Sequence, residues 1–254
     1  MSKNILEGKS KKTLESMIRA FGGESSVAAV KKLGRAYLDK RSKRLKHSLL
    51  SDIERLRALK PALLQFGCGS RIMSGWANID IAKPEVVMRE IGNNNLLYDF
   101  HKKDGVGGGR ADYFQIDFIE AGIPLPDSSV SGIWHEDFIE HISQRDVFVF
   151  LAETLRVLKP GGVHRISTPD LKGSMLRHAD FKLGKAGVYT NEWNKHGHIN
   201  VFTPVYLEET ARLIGYSKVT FADRNVSRLK PLPREWRPGP DRLDSEQIFC
   251  DLIK

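Results

Sequence analysis

In the run Leu63-Leu64-Gln65-Phe66-Gly67-Cys68-Gly69-Ser70 an apolar stretch ends abruptly in two glycines. At the carboxyl end of a strand the missing side chains let a ligand lie against the backbone, whose N–H groups can hold its polar parts. A Gly-x-Gly turn by itself is as often a tight turn, so the neighbouring chemistry decides. Eleven positions beyond Gly69, Asp80 closes a second run, Gly75-Trp76-Ala77-Asn78-Ile79-Asp80. A carboxylate accepts and never donates, so at a strand end it can take hydrogen bonds from both hydroxyls of a ribose; otherwise it is an ordinary helix cap. In a third run, Gln115-Ile116-Asp117-Phe118, Asp117 can accept from an adenine amino group while Phe118 packs against the ring.

These residues need a scaffold of short buried strands separated by helices. Such strands are expected at 62–66, 77–80, 113–116, 131–134, 163–167, 218–222 and 247–253, with helices at 146–158 and 205–214. Gly161-Gly162 and Gly215 stand where helix C-terminal stops belong. The last two strands are joined by a loop rich in proline and arginine, from Pro231 to Pro240 around Trp236, and not by a helix, which predicts an antiparallel pair at the sheet's end. The polar, glycine-rich stretch 93–109 reads as a loop. Before residue 61 the pattern is helical, with Leu45, Leu49, Ile53, Leu56 and Leu59 on one stripe. The chain thus divides into a basic α-helical appendage, 1–60, and a Rossmann-like α/β domain, 61–254.

The motifs together resemble class I S-adenosylmethionine-dependent methyltransferases of the type 11-like group. The resemblance spans about residues 62–222 and rests on Gly67-Cys68-Gly69, Leu125-Pro126-Asp127-Ser128-Ser129, Glu140-His141 and Leu155-Arg156-Val157-Leu158-Lys159-Pro160-Gly161-Gly162. The short Gly-Trp-x-Asn-x-Asp form of the second motif is similar to a subgroup often associated with cell-surface glycan biosynthesis. The resemblance implies S-adenosyl-L-methionine as cofactor. Its methionine part would lie against Gly67, Cys68 and Gly69 beside Phe66, its ribose on Asp80 beside Ile81, and its adenine against Asp117 and Phe118. His135, just past the fourth strand, would lie near the sulfonium and the acceptor, whereas Glu140 and His141 read as helix packing or a satisfied hydrogen-bonded pair.

Two residues depart from the family pattern. Gln65 stands where an acidic residue is frequent and can still hydrogen-bond the cofactor's amino group; Arg71 replaces a small residue and could pair with its carboxylate. The short Gly69-to-Asp80 spacing leaves the first crossover helix very short or lost, which invites the N-terminal helices to cover that side. It also argues against a nicotinamide enzyme, whose fingerprint needs a third glycine and an acidic residue about 20 positions further on.

Methyl transfer from a sulfonium is an in-line displacement, so positioning and desolvation can do much of the work. A hydroxyl acceptor would gain from a base with a near-neutral pKa, for which His135 is the first candidate, followed by His196, His198 and Asp137, with Asp170 a further acidic group. His196 and His198 could also meet one metal ion, but a polar loop shaping the acceptor pocket is the preferred reading and no metal is assigned.

The net charge of +9 is unevenly spread: residues 1–60 carry 16 Lys and Arg against 6 Asp and Glu, and the remainder 24 against 25. That segment could anchor RNA, an alternative less favoured than a solvated helical face because interleaved aromatics are scarce. A catalytically silent cofactor-binding scaffold is the other alternative. Two cysteines, Cys68 and Cys250, make neither a disulfide framework nor a zinc cluster, and no apolar run suits a signal peptide or membrane span. The expectation is a cytoplasmic enzyme acting on a small-molecule or glycan acceptor, with the oligomeric state left open.

Overall fold

The computed structural model describes residues 48–93, 107–178, 187–239 and 242–254. The expected appendage lies outside these residues except for its last part. That part is helix α1 (Leu50–Leu59), followed by strand β1 (Leu63–Phe66). Strand β2 (Ala77–Asp80), helix α2 (Pro84–Asn93), strand β3 (Tyr113–Gln115) and the single-turn helix α3 (Phe118–Ala121) come next. The second half contains strand β4 (Val130–Glu136), helix α4 (Gln144–Val157), strand β5 (Leu158–Pro169), helix α5 (Leu171–Arg177), helix α6 (Pro204–Ile214) and strands β6 (Lys218–Phe221) and β7 (Gln247–Ile253).

The seven strands form one sheet in the order β3-β2-β1-β4-β5-β7-β6. The first five run parallel, and β7 inserts antiparallel between β5 and β6. This is a Rossmann-like α/β sheet, with the expected antiparallel pair at its end. The parallel order reverses direction at β1, so β1 and β4 flank the switch point, outside whose carboxyl ends ligands bind in open α/β sheets.

Local sequence explains the elements that frame this edge. Ser143 caps α4 by accepting from the Asp146 N–H, and Thr203 caps α6 by accepting from the Tyr206 N–H. Gly215 ends α6 in the left-handed conformation, as expected, with its N–H on the Ala211 and Arg212 carbonyls. Gly161-Gly162 does not serve as a helix stop: α4 ends at Val157, and Leu158 already begins β5 in extended conformation. There the extended Lys-Pro-Gly-Gly segment is held by the other end of the sheet, Gly161 donating to the Lys254 carbonyl at 3.0 Å.

The main core cluster lies between the sheet and α1, α3, α4 and α6 and includes Leu56, Phe66, Ile79, Phe114, Ile133, Phe150, Ile166 and Leu207. Within the stripe foreseen at the N-terminus, Ile53 and Leu56 are buried while Leu49 and Leu59 are exposed. Helix α1 is locked to the sheet edge by Asp52, whose carboxylate is fully buried, accepts from the Gln115 N–H at 2.8 Å and pairs with Arg55 and Arg110. The Leu-Pro-Asp-Ser-Ser turn before β4 is a latch: Arg156 of α4 donates to the Ile123 and Leu125 carbonyls and to Asp127. Among the described residues no helix is long and apolar enough to cross a membrane.

The loop after β6 is fastened to the sheet by a buried ion pair. Arg165 of β5 is wholly buried and donates to both oxygens of Glu235, at 2.7 and 2.9 Å, and to the Asp223 carbonyl at 3.0 Å, with Asp251 at 3.4 Å. Arg165→Met would leave two carboxylates buried without their cation. A loss of about 3–5 kcal/mol of unfolding free energy is expected, the usual penalty for breaking a buried pair from one side, read as a lower denaturation midpoint in urea.

Candidate functional site

The site is built around the turn that leaves β1. Gly67 has φ +60° and Gly69 φ +51°, both in the left-handed region. A Cβ on Gly67 would lie 2.6 Å from the Phe138 ring, whereas one on Gly69 would meet nothing within 4 Å, so the turn is tight on one side and open on the other. Asp80, at the end of β2, shapes it: one carboxylate oxygen accepts from the Gly69 N–H at 2.9 Å and the other from the Ala82 N–H at 3.0 Å. Because each carboxylate oxygen has a second lone-pair direction, Asp80 keeps acceptor capacity for a ligand's hydroxyls.

Gln65 precedes the turn on the sheet face opposite Leu64 and Phe66, and its Oε1 is buried without a hydrogen-bond partner. Buried acceptors are rarely left so, and this one marks a place for a donor. Cys68 is buried against Ile72, Val87 and Tyr113, and burial pushes its thiol pKa well up, so it packs and does not react. Asp117 opens α3, its backbone N–H donating to the Ser48 hydroxyl at 2.9 Å. Ile81 is exposed beside Asp80. Phe118 is placed in the core, packed on Phe66, Phe138 and Phe150, rather than as an open platform.

No helix joins β1 to β2, as the short spacing foretells. Asn78 folds the link instead: its side chain accepts from the Met73 N–H at 2.8 Å and donates to the Met73 and Trp76 carbonyls, both at 2.9 Å. The sheet face there is covered by Met73, Trp76, Trp134 and Val163 together with Leu229, and Leu232 packs alongside; both leucines come from the loop after β6. Among the described residues the C-terminal loop supplies this cover; the N-terminal helices expected to do so lie outside them, apart from α1.

Arg71 fastens that loop over the site. Its guanidinium lies over the Trp134 ring at 4.7 Å and the Trp236 ring at 5.3 Å, and donates to Glu136 and to the Arg234 carbonyl. Glu136 in turn accepts from the Trp236 and Arg237 N–H groups at 2.8 and 3.0 Å. Burial pushes the Glu136 carboxyl up to about 7 against the opposing pull of Arg71. Arg71 is therefore already engaged with a carboxylate of its own chain.

His135, between Trp134 and Glu136 in β4, points to the opposite face of the sheet, into the core. Its ring is wholly buried among Phe138, Phe150 and His164, both ring nitrogens lack partners, and desolvation lowers its pKa to about 3. An imidazole this reluctant to take a proton is a poor base at neutral pH. Asp137, with φ +46°, accepts from the Gln247 amide at 2.8 Å and lies 3.3 Å from Arg237. Asp170 caps α5, accepting from the Lys172 N–H at 3.0 Å.

Beyond β4 a second group of polar side chains gathers. Glu140 and His141 lie in a 3-10 turn, Ile139–His141, and His196 and His198 follow a π-helical turn, Thr190–Lys195. The rings of His196 and His198 stack at 5.6 Å, and His141 meets His198 edge-on at 5.1 Å. Sequence reasoning missed Glu136, Glu192 and Arg242. Glu136 could have been noticed as the polar end of the fourth strand; Glu192 sits in no periodic pattern, yet it is buried and accepts from both terminal nitrogens of Arg242, at 3.2 and 3.1 Å.

Residues 64–166 match the sequence profile of the family described as "Methyltransferase domain". A probable S-adenosylmethionine-dependent methyltransferase of Mycolicibacterium smegmatis is 38% identical over 111 residues, 42% of this chain and 38% of the relative, so the chain matches well under half of that protein's length. Among solved structures, a SAM-dependent methyltransferase from Archaeoglobus fulgidus is 15% identical with a TM-score of 0.45, over 80% of this chain and 92% of that one. Phosphoethanolamine N-methyltransferase 2 of Haemonchus contortus, solved with S-adenosyl-L-methionine, is 17% identical with a TM-score of 0.41, over 68% of this chain and 38% of that one. At such TM-scores these two likenesses add nothing to the topology. The matched residues, 64–166, are thus similar to a methyltransferase domain, and they hold the β1 turn, Asp80 and the whole of β4.

The carboxylate at the end of β2 yields a direct test. Asp80→Ala removes a charged acceptor from the ligand edge and frees the Gly69 N–H. Affinity for S-adenosylhomocysteine is expected to fall by about 1–3 kcal/mol, measured by isothermal calorimetry. An unchanged affinity would show that Asp80 only shapes the turn.

Proposed function

We propose that this protein transfers a methyl group from S-adenosylmethionine to an oxygen of a sugar or glycan intermediate in the cytoplasm. The observation carrying the cofactor half is the Gly67–Gly69 turn, open above Gly69 and tied by Asp80, next to a buried Gln65 oxygen that lacks a donor. The cofactor's ammonium group is the donor that chemistry matches to Gln65, and its ribose hydroxyls match the remaining lone pairs of Asp80. When bound, the cofactor supplies an activated methyl on a sulfonium.

The chain's own part is to position and to exclude water. Phe138 and Trp236 supply apolar walls, and the Arg71–Glu136 pair holds the Trp236 loop in place. Cations near a sulfonium would oppose its binding; the neutralisation of Arg71 by Glu136 limits that cost. The acceptor lies on this reading beyond β4 and β5, among Asp137, His141, His196 and His198, and His196 takes its proton. The sugar assignment rests on the Gly-Trp-x-Asn-x-Asp resemblance, in which Trp76 and Asn78 themselves build the helix-less crossover.

S-adenosylmethionine and S-adenosylhomocysteine at millimolar concentration are expected to raise the melting temperature, because a ligand that binds only the native state stabilises it by mass action. With labelled cofactor and an acceptor panel of sugars, glycans and RNA, label is expected on sugar oxygens. Label on RNA would favour the basic N-terminal segment as an anchor, binding without any transfer would favour a silent scaffold, and no thermal shift would remove the cofactor assignment.

A further inference from the structure

We propose that Glu140, His141 and His198 form a binding site for a divalent first-row transition cation at the acceptor side of the sheet. Each residue offers one ligand atom, and the three atoms lie within 4.8 Å of one another. That spread lets one ion at their centre reach all three with small side-chain adjustments at ordinary metal–ligand lengths of about 2.0–2.2 Å.

An independent observation points to a missing cation. Glu140 is wholly buried; one carboxylate oxygen accepts from the Thr168 hydroxyl at 2.9 Å, and the other has no partner. A buried carboxylate oxygen without a donor is costly, and a cation removes the cost.

The surroundings have the form of a supported metal site. The His198 Nδ1 lies 3.0 Å from a Glu192 carboxylate oxygen, so Nε2 is the nitrogen left for an ion, the carboxylate–histidine arrangement that orients metal-binding imidazoles. Glu192 is itself fixed by Arg242 and Ser174. His141 holds a hydrogen bond to the Gly197 backbone, which leaves its other ring nitrogen available, and it is exposed, giving the ion a way in. The two ligand-bearing segments are laced together, with the Glu140 carbonyl accepting from the Ile199 and Asn200 N–H groups at 2.8 and 3.0 Å.

Two imidazoles with one carboxylate suit zinc, iron(II) or manganese(II) better than magnesium or calcium, which prefer all-oxygen shells. Three protein ligands leave positions open, and an oxygen-bearing acceptor is the class of ligand that could fill them. Phe138, two residues before Glu140, packs at Gly67, so the cluster shares its end of the sheet with the β1 turn.

The test uses the full chain, stripped with a chelator and then titrated with zinc(II) by calorimetry and with cobalt(II) by visible absorption. One equivalent is expected to bind, with cobalt giving a d–d band. His141→Ala, at an exposed position, is expected to abolish the band while leaving S-adenosylhomocysteine affinity and far-UV circular dichroism unchanged; Glu140→Gln should do the same. Glu192→Gln should weaken metal binding by about 10–100-fold. No stoichiometric metal in the wild-type protein, or a band that survives both His141→Ala and Glu140→Gln, would overturn the site. Because the readout is the metal, either result leaves the cofactor reading standing or falling on its own measurements.

Discussion

Ten residues, 67–76, carry the chain from the end of β1 to the start of its parallel neighbour β2 without a helix. Parallel crossovers normally take a dozen or more residues and a helix that also roofs the sheet. Here the roof has to come from elsewhere, and much of the rest follows. Trp76 and Met73 fold back onto Trp134, Leu229 is drawn in from the loop after β6, and the Asn78 amide holds the link in shape while also donating to the Asp112 carbonyl before β3. Arg71, on that same link, then meets Glu136 and the Trp236 backbone at the mouth of the site. A short connection at one end of the sequence is thus answered by a proline-rich loop some 150 residues later, and the fully buried Arg165–Glu235 pair keeps that loop in register.

The two sides of the sheet edge differ in character. Around the β1 turn the polar groups are few and come from backbone, Gln65 and Asp80, an arrangement suited to a ligand held by its own hydroxyl and ammonium groups. Beyond β4 and β5 the side chains are ionisable and coupled: Glu140 near Thr168, His198 near Glu192, Glu192 on Arg242, and Gln247 bridging Asp137 and Ser167. In such low-dielectric surroundings each unsatisfied group is costly, and here one Glu140 oxygen, the His198 Nδ1 and the Gln247 Oε1 are buried without a hydrogen bond.

The sheet was readable from sequence because its strands are short apolar runs closed by glycine or aspartate: β2 and β7 coincide with their expected bounds, and the antiparallel ending followed from the missing helix. β5 is longer than expected because Lys159-Pro160-Gly161-Gly162, a turn by composition, is pulled into extension by pairing that only the assembled sheet provides. The Gly67–Gly69 turn was legible since backbone freedom is a property of residue type. His135 lies inside β4 rather than after it, and Phe138 and Phe150, 3 and 15 residues on, pack against its ring, a depth that no local pattern announces. Arg71, which looked free for a ligand, found Glu136, 65 positions away, a partner no local pattern announces. Glu192 and Arg242 escaped for the same reason.

In the proposed function the cofactor lies on the open side of the β1 turn, tied to Asp80. A crystal structure of the protein with S-adenosylhomocysteine tests this most directly. Expected are the ribose hydroxyls on the Asp80 carboxylate, the amino-acid part along the backbone of residues 67–69 and its ammonium group within hydrogen-bonding distance of the Gln65 Oε1. A ligand bound elsewhere, or one at this edge touching neither Asp80 nor Gln65, would contradict it.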